Sequence, residues 1–218
     1  MTLLHYTPPI TPFLTILHED EDIVVVNKPS GLLSVPGKAV AHRDSVWTRL
    51  AFACPGIRVV HRLDMATSGL LVFARNKTAQ AALQRQFEQR TVSKHYVAKV
   101  AGHLPANHGA IELPMRCDWP NRPRQMVDFR HGRHALTFYH VIGRDEVGDI
   151  VRLEPYTGRS HQLRVHMQAL GTPIRGDKFY ADAAAFAAAD RLLLHAELLA
   201  FDHPTTQQRL SFTCPAEF

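Results

Sequence analysis

Cysteine is scarce in this chain. Three occur in 218 residues, at Cys54, Cys117 and Cys214, far apart and odd in number. None forms a C-x-x-C pair, which argues against a disulfide framework and for free thiols in a reducing cytoplasm. Long apolar runs are also missing: no stretch approaches the roughly 18–20 residues that a membrane span requires. Met1 to Phe13 carry three prolines and no basic cluster ahead of an apolar stretch, a pattern unlike a secretory leader. There is no internal repeat, low-complexity tract or long linker. The alanine-rich Ala183–Ala189 reads as a short helix, since alanine is the best helix former.

What is present suits a soluble globular protein, 45% hydrophobic and 21% charged. The length allows one large domain or at most two small ones. The formal charge is +5, and fourteen histidines can add to it below neutral pH. Such a balance suits a polyanionic partner.

Residues 23–26 (IVVV) read as a buried strand ending in the turn chemistry of Asn27-Lys28-Pro29-Ser30-Gly31. Asp44–Ala53 and Thr78–Arg90 read as helices, the second amphipathic with Ala79, Leu83 and Phe87 on one face. Leu70–Ala74, Lys94–Val100, Phe138–Ile142, Ile150–Glu154, Leu192–His195, Leu198–Phe201 and Arg209–Thr213 read as strands. Ser160 is placed to cap a helix running to about Leu170, with Gly171 as its stop. Strands outnumber helices and are not regularly interleaved with them, which predicts an α+β fold with a mixed, mainly antiparallel sheet.

Three segments carry candidate chemistry. In His61-Arg62-Leu63-Asp64-Met65-Ala66-Thr67-Ser68-Gly69, polar groups stand between two apolar runs, which places them in a loop at a sheet edge. Asp64 has a cation two residues before it and hydroxyls three and four after it. Two readings are open: a working carboxylate, or a local turn held by Asp64 and Thr67. In Thr157-Gly158-Arg159-Ser160-His161-Gln162-Leu163-Arg164-Val165-His166, Gly158 gives a tight approach, and His161 and Arg164 share a helix face. That is either a cationic stripe at an anion-favouring helix N-terminus or a solvated face. In Lys94-His95-Tyr96, Lys94 and Tyr96 point to one side of a strand, where a tyrosine serves either the core or a ligand.

Other signals are weaker. Gly31 to Ala39 resembles a phosphate-binding loop, but has one residue too many between the glycines and Ala39 where Ser or Thr must stand. His195-Ala196-Glu197 resembles the H-x-E of zinc deaminases without its P-C-x-x-C partner. His161 and His166 are five apart, where same-face ligands need four. His195 reads as a satisfied core histidine.

The three segments, with Asn27-Lys28-Pro29-Ser30-Gly31-Leu32, resemble the RluA-type family of pseudouridine synthases over essentially the whole chain. Cys117-Asp118-Trp119-Pro120-Asn121-Arg122-Pro123 and the Met65-Ala66 pair resemble its compact RluA subgroup; many other relatives have a charged pair at 65–66. The resemblance implies isomerisation of uridine to pseudouridine in large-subunit ribosomal RNA and in the anticodon stem-loop of tRNA. It implies a single catalytic domain over 1–218, an RNA-binding cleft across its sheet, and no metal or organic cofactor. Asp64 is its catalytic carboxylate, with Tyr96 stacking on the extruded base, Arg164 paired to Asp64, and Arg62 filling the vacated place in the RNA. RNA contacts extend to His61, Lys28, Arg159 and His161. About 27 residues precede Lys28-Pro29, too few for the small N-terminal RNA-binding domain of many members, so the catalytic domain is expected to grip RNA alone, as a monomer without an obligate protein partner.

Residues 116–134 suit that grip. Arg116, Arg122, Arg124, Arg130, His131, Arg133 and His134 are interleaved with Trp119 and Phe129, against only Asp118 and Asp128. Cations for phosphates and aromatics for bases are what a loop-RNA binder needs, here resting on Arg122, Arg124 and Trp119; a solvated loop is the alternative. A non-catalytic RNA-binding or ribosome-assembly factor is the competing function. It is disfavoured because Asp64, Tyr96 and Arg164 are all present.

Overall fold

The structure, a computed structural model, describes residues 6–218. The reading of Met1–Phe13 as no leader falls partly on residues 1–5, which lie outside the described residues. In chain order the elements are β1 (Thr15–Glu19), β2 (Ile23–Lys28), α1 (Val46–Ala53), β3 (Arg58–Val59), β4 (Ser68–Ala74), α2 (Lys77–Gln89), β5 (Ser93–Lys99), β6 (His108–Glu112), β7 (Met115–Cys117), β8 (Gln125–Val127), β9 (Leu136–Arg144), β10 (Asp149–Pro155), α3 (Gln162–Ala169), α4 (Ala183–Ala187), β11 (Leu194–Asp202) and β12 (Arg209–Thr213). This is the expected α+β class. The described residues form two compact units, one of residues 6–94 with Ala196–Glu217, the other essentially His95–His195. Strands β5 and β11 have residues in both.

In the first unit β2 pairs antiparallel with β1 and β4, β12 pairs antiparallel with β11, and β3 adds to β4. The IVVV run and all of β4 are buried, as expected of strands covered on both faces. Ile23, Val25, Leu70, Val72 and Ala74 pack with Leu199 and Phe201 of β11 against Ala79 and Leu83 of α2, with Phe87 half-buried beside them. Helix α2 starts where it does because the Asn76 side chain accepts the Ala79 N–H at 2.8 Å. The sequence divides β11 into two short strands around Glu197, but it is continuous. A single half-buried acid interrupts the apolar pattern without costing a backbone pairing.

In the second unit the strand order is β5-β10-β9-β6, antiparallel throughout, with a separate β7-β8 hairpin. The hairpin resolves the 116–134 region into two short strands joined by an exposed turn. Its inner side, Met115 and Val127, packs with Ala135, Val165 and Tyr180.

Helix α3 begins differently from expectation. Its N-cap is His161, held in the left-handed region at φ 56, with no side-chain cap bond; Ser160 does not cap it. The turn is closed instead by Gln162. Its Oε1 accepts the Arg159 N–H at 3.0 Å and the Thr157 hydroxyl at 2.7 Å. Gly158 makes no close approach either, since a Cβ there would meet nothing within 4 Å. The glycine stop at the other end is real, with Gly171 at φ 76.

Candidate active site

The Asp64 loop is a short main-chain ribbon between β3 and β4, and it is held by the turn that follows β2. Ser34 Oγ donates to the Leu63 carbonyl at 2.8 Å and accepts the Leu63 N–H at 3.1 Å. Lys28 Nζ donates to the Met65 carbonyl at 3.0 Å, and the Gly31 N–H donates to the same oxygen at 2.9 Å. Ser30 Oγ donates to the Ala66 carbonyl at 2.8 Å. Residues on both sides of Asp64 are thus pinned while Asp64 itself stays half-buried. The local turn is closed main chain to main chain, Thr67 N–H to Asp64 carbonyl at 3.1 Å. Where the loop enters β4, Gly69 takes φ 111, and an added Cβ would stand 2.3 Å from the Ala196 carbonyl. No larger residue fits this close crossing.

Lys28 is therefore not an RNA contact. Its side chain is fully buried, and its ammonium also donates to the carbonyls of Pro29 and Leu32 at 2.9 and 2.8 Å. With Met65 that makes three acceptors for the three donors of an ammonium. Burial pushes its pKa down to about 7, opposed by the charge of Asp64.

His61 also turns inward rather than toward RNA. Its Nε2 accepts the Val72 N–H at 3.1 Å, and its ring stacks on Phe87 at 4.6 Å. Burial, with Lys94 nearby, pushes the imidazole down to about 3, so it is neutral and able to accept. Arg62, the next residue, is exposed.

The second unit carries the other expected residues. Tyr96 is half-buried on β5, opposite Leu153 of β10. Arg164 is buried on α3 and makes a two-pronged bond to Asp177, from Nε and Nη2, each at 2.7 Å. Its burial removes the solvated-face reading of α3. Arg159 is half-buried and its Nε donates to the His134 carbonyl at 3.0 Å. His161 Nδ1 lies 2.6 Å from Tyr180 Oη. Asp177 and Tyr180 escape sequence reasoning. An acid and a phenol in Gly176-Asp177-Lys178-Phe179-Tyr180 give no sign, by spacing, of which cation they serve.

The hairpin presents the remaining ones. Trp119 is 62% exposed, and the Arg122 guanidinium lies 4.3 Å from its ring centroid. Arg124 is exposed, its guanidinium bonded to the Phe179 carbonyl. Phe129 is 76% exposed. Asp128, one of two acids there, is already occupied by Arg116 and by the N–H groups of Arg130 and His131. Charges and rings therefore face outward together, as contact with phosphates and bases requires.

Comparison with known proteins gives the family. Residues 22–169 match the model of the family described as RNA pseudouridylate synthase. The dual-specificity RNA pseudouridine synthase RluA of Escherichia coli (strain K12) is 52% identical over 220 residues, covering all of both chains. Its namesake from Vibrio cholerae is 52% identical over 218 residues, covering all of this chain and 89% of that one. Among solved structures, Human RNA Pseudouridylate Synthase Domain Containing 1 superposes with a TM-score of 0.79 at 31% identity, covering 96% of this chain and 86% of that one. Human RNA Pseudouridylate Synthase Domain Containing 4 gives 0.75 at 27% identity, covering 93% and 88%. A match spanning the pinned Asp64 loop, β5 and α3 places this chain in the RNA pseudouridylate synthase family.

Proposed function

We propose that this enzyme acts on two kinds of RNA, large-subunit ribosomal RNA and the anticodon stem-loop of tRNA. The observation that carries this is 52% identity over the full chain to relatives named dual-specificity synthases. Both units work as one catalytic domain over residues 1–218, in the cytoplasm, as a monomer and without a metal or organic cofactor. Unbridged thiols at Cys54, Cys117 and Cys214 suit that compartment.

The reaction breaks the bond between ribose C1′ and uracil N1 and forms one between C1′ and C5. N1 gains a proton and C5 releases one. Asp64 is the residue for the sugar step, as nucleophile on C1′ or as the carboxylate that stabilises a sugar of oxocarbenium character. Arg164 is the second residue this reading gives to the chemistry. The uridine must first leave its stack, at a cost of about 2–4 kcal/mol. Stacking on Tyr96 contributes on the order of 1–3 kcal/mol in return, and Arg62, exposed beside Asp64, takes the vacated place. The deciding experiment uses transcripts tritiated at uracil C5, one an anticodon stem-loop and one a ribosomal fragment, and follows tritium release. Release from both is expected. Release from one alone would overturn dual specificity, and tight binding with no release would overturn catalysis.

Trp119, Arg122 and Arg124 of the hairpin, with Arg159 and His161, contact the RNA in this reading. Substituting Arg122 and Arg124 with alanine is expected to lower the slope of log affinity against log salt by roughly 0.7 for each phosphate that is no longer neutralised. Binding isotherms from low to moderate salt measure it, and an unchanged slope would remove the hairpin from the interface.

A further inference from the structure

Asp177 is fully buried, and the reaction as described gives it no task. Its place is set by Gly176, at φ 73, where an added Cβ would stand 1.9 Å from the Arg191 carbonyl. Its Oδ2 accepts Arg164 Nε, and its Oδ1 accepts Arg164 Nη2, in fork-to-fork geometry. Oδ1 also accepts the main-chain N–H groups of Phe179 at 2.9 Å and Tyr180 at 3.2 Å. The rings of Phe179 and Tyr180 lie 5.3 and 5.1 Å from the guanidinium carbon. One edge of the guanidinium is thereby committed and its plane bounded. The direction of Arg164 is set by the 177–180 segment more than by its own flexible stem.

The same segment reaches the hairpin. Tyr180 Oη accepts the Gln125 N–H of β8 at 2.8 Å and lies 2.6 Å from His161 Nδ1 at the start of α3. A phenol that accepts the first and donates to the second satisfies both. Arg124 adds a bond to the Phe179 carbonyl and lies 5.7 Å from the Tyr180 ring. His161 stacks on Phe179 at 5.9 Å. Beside the direct packing of Val127 on Val165, the hydrogen-bonded link from β8 to the start of α3 runs through Tyr180.

We propose that Asp177 and Tyr180 are positioning residues for the isomerisation: Asp177 aims Arg164, and Tyr180 ties that aim to the β7-β8 hairpin. The inference rests on Arg164 being catalytic. It makes the hairpin's grip on RNA and the setting of Arg164 one coupled property.

The test is a double-mutant cycle on the whole protein. Tyr180→Phe keeps the ring beside Arg164 and removes the hydroxyl. Single-turnover rate at saturating RNA, RNA affinity and melting temperature are measured for wild type, Tyr180→Phe, Arg164→Lys and the double variant. Tyr180→Phe is expected to slow the chemistry about tenfold, with affinity changed by less than about twofold. In the Arg164→Lys background it is expected to add less than about twofold, because the aim it supports is already gone. A wild-type rate, or equal losses in both backgrounds, would overturn Tyr180's part. Asp177→Asn, assayed on the folded fraction, is also expected to slow the chemistry about tenfold; a wild-type rate there overturns the aiming role. If Arg164→Lys itself is fully active, the reading of Arg164 fails first. If it is impaired while Tyr180→Phe and Asp177→Asn are not, only the positioning inference fails.

Discussion

Replacing Asp64 with asparagine will stop tritium release, lowering the single-turnover rate by at least about 10³-fold. The substitution keeps the size and planarity of the side chain and removes its charge. An amide is neither a competent nucleophile toward C1′ nor able to balance positive charge on the sugar. The loop should not move. The bonds to the carbonyls of Leu63, Met65 and Ala66, and the turn closed through the Asp64 main chain, are made with atoms other than the carboxylate and survive the substitution. The isosteric swap creates no cavity, so the folded variant should be recoverable for the assay. RNA affinity should be retained. One electrostatic consequence is local: the Asp64 charge raises the pKa of Lys28, so its loss leaves Lys28 more easily deprotonated. Near-normal release by the folded variant would remove Asp64 from the chemistry.

Much of this site was legible from residue order because its parts are local. The IVVV strand, the Ala79–Leu83–Phe87 face of α2 and the Gly171 stop need only neighbours in sequence to declare themselves. The Asp64 loop was recognisable as a unit for the same reason. What could not be read was burial of charge. Lys28 looks like a surface cation, and what makes it internal is a carbonyl at Met65, brought close only when β2 pairs with β4. His61 looks like a contact beside Arg62, yet its ring is claimed by Phe87 and the Val72 N–H. At α3 the Ser160 cap failed because Gln162, one residue inside the helix, closes the turn onto Thr157 and Arg159. Asp177 and Tyr180 were silent because their partners come from α3 and β8, each on a different part of the chain. Pattern reading finds groups that act where they stand; it misses groups whose work is to hold another.

Lys28→Met should destabilise the fold by about 3 kcal/mol and slow the chemistry with it. Methionine fills most of the lysine's volume, so the expected loss comes from unmet polar groups and not from a cavity. The carbonyls of Pro29 and Leu32 lose this donor in a buried place, and that of Met65 is left with the Gly31 N–H alone. Each unmet acceptor costs about 1–3 kcal/mol. Against this stands relief from burying an ammonium, which offsets a few kcal/mol. The pH dependence separates the two contributions. The folded pKa of Lys28, about 7, lies below the ordinary 10.5. Between those values the unfolded chain holds a proton the folded chain lacks. Wild type therefore gains stability as pH rises from about 7 toward 10.5, by up to a few kcal/mol, and this gain is absent below 7. Lys28→Met lacks that slope, so the gap between the two proteins should widen in alkali. Urea melts at neutral and alkaline pH measure the gap directly. A constant gap would mean that Lys28 stays charged throughout. A variant as stable as wild type at both pH values would mean that the three carbonyls do not depend on it to hold the Asp64 loop.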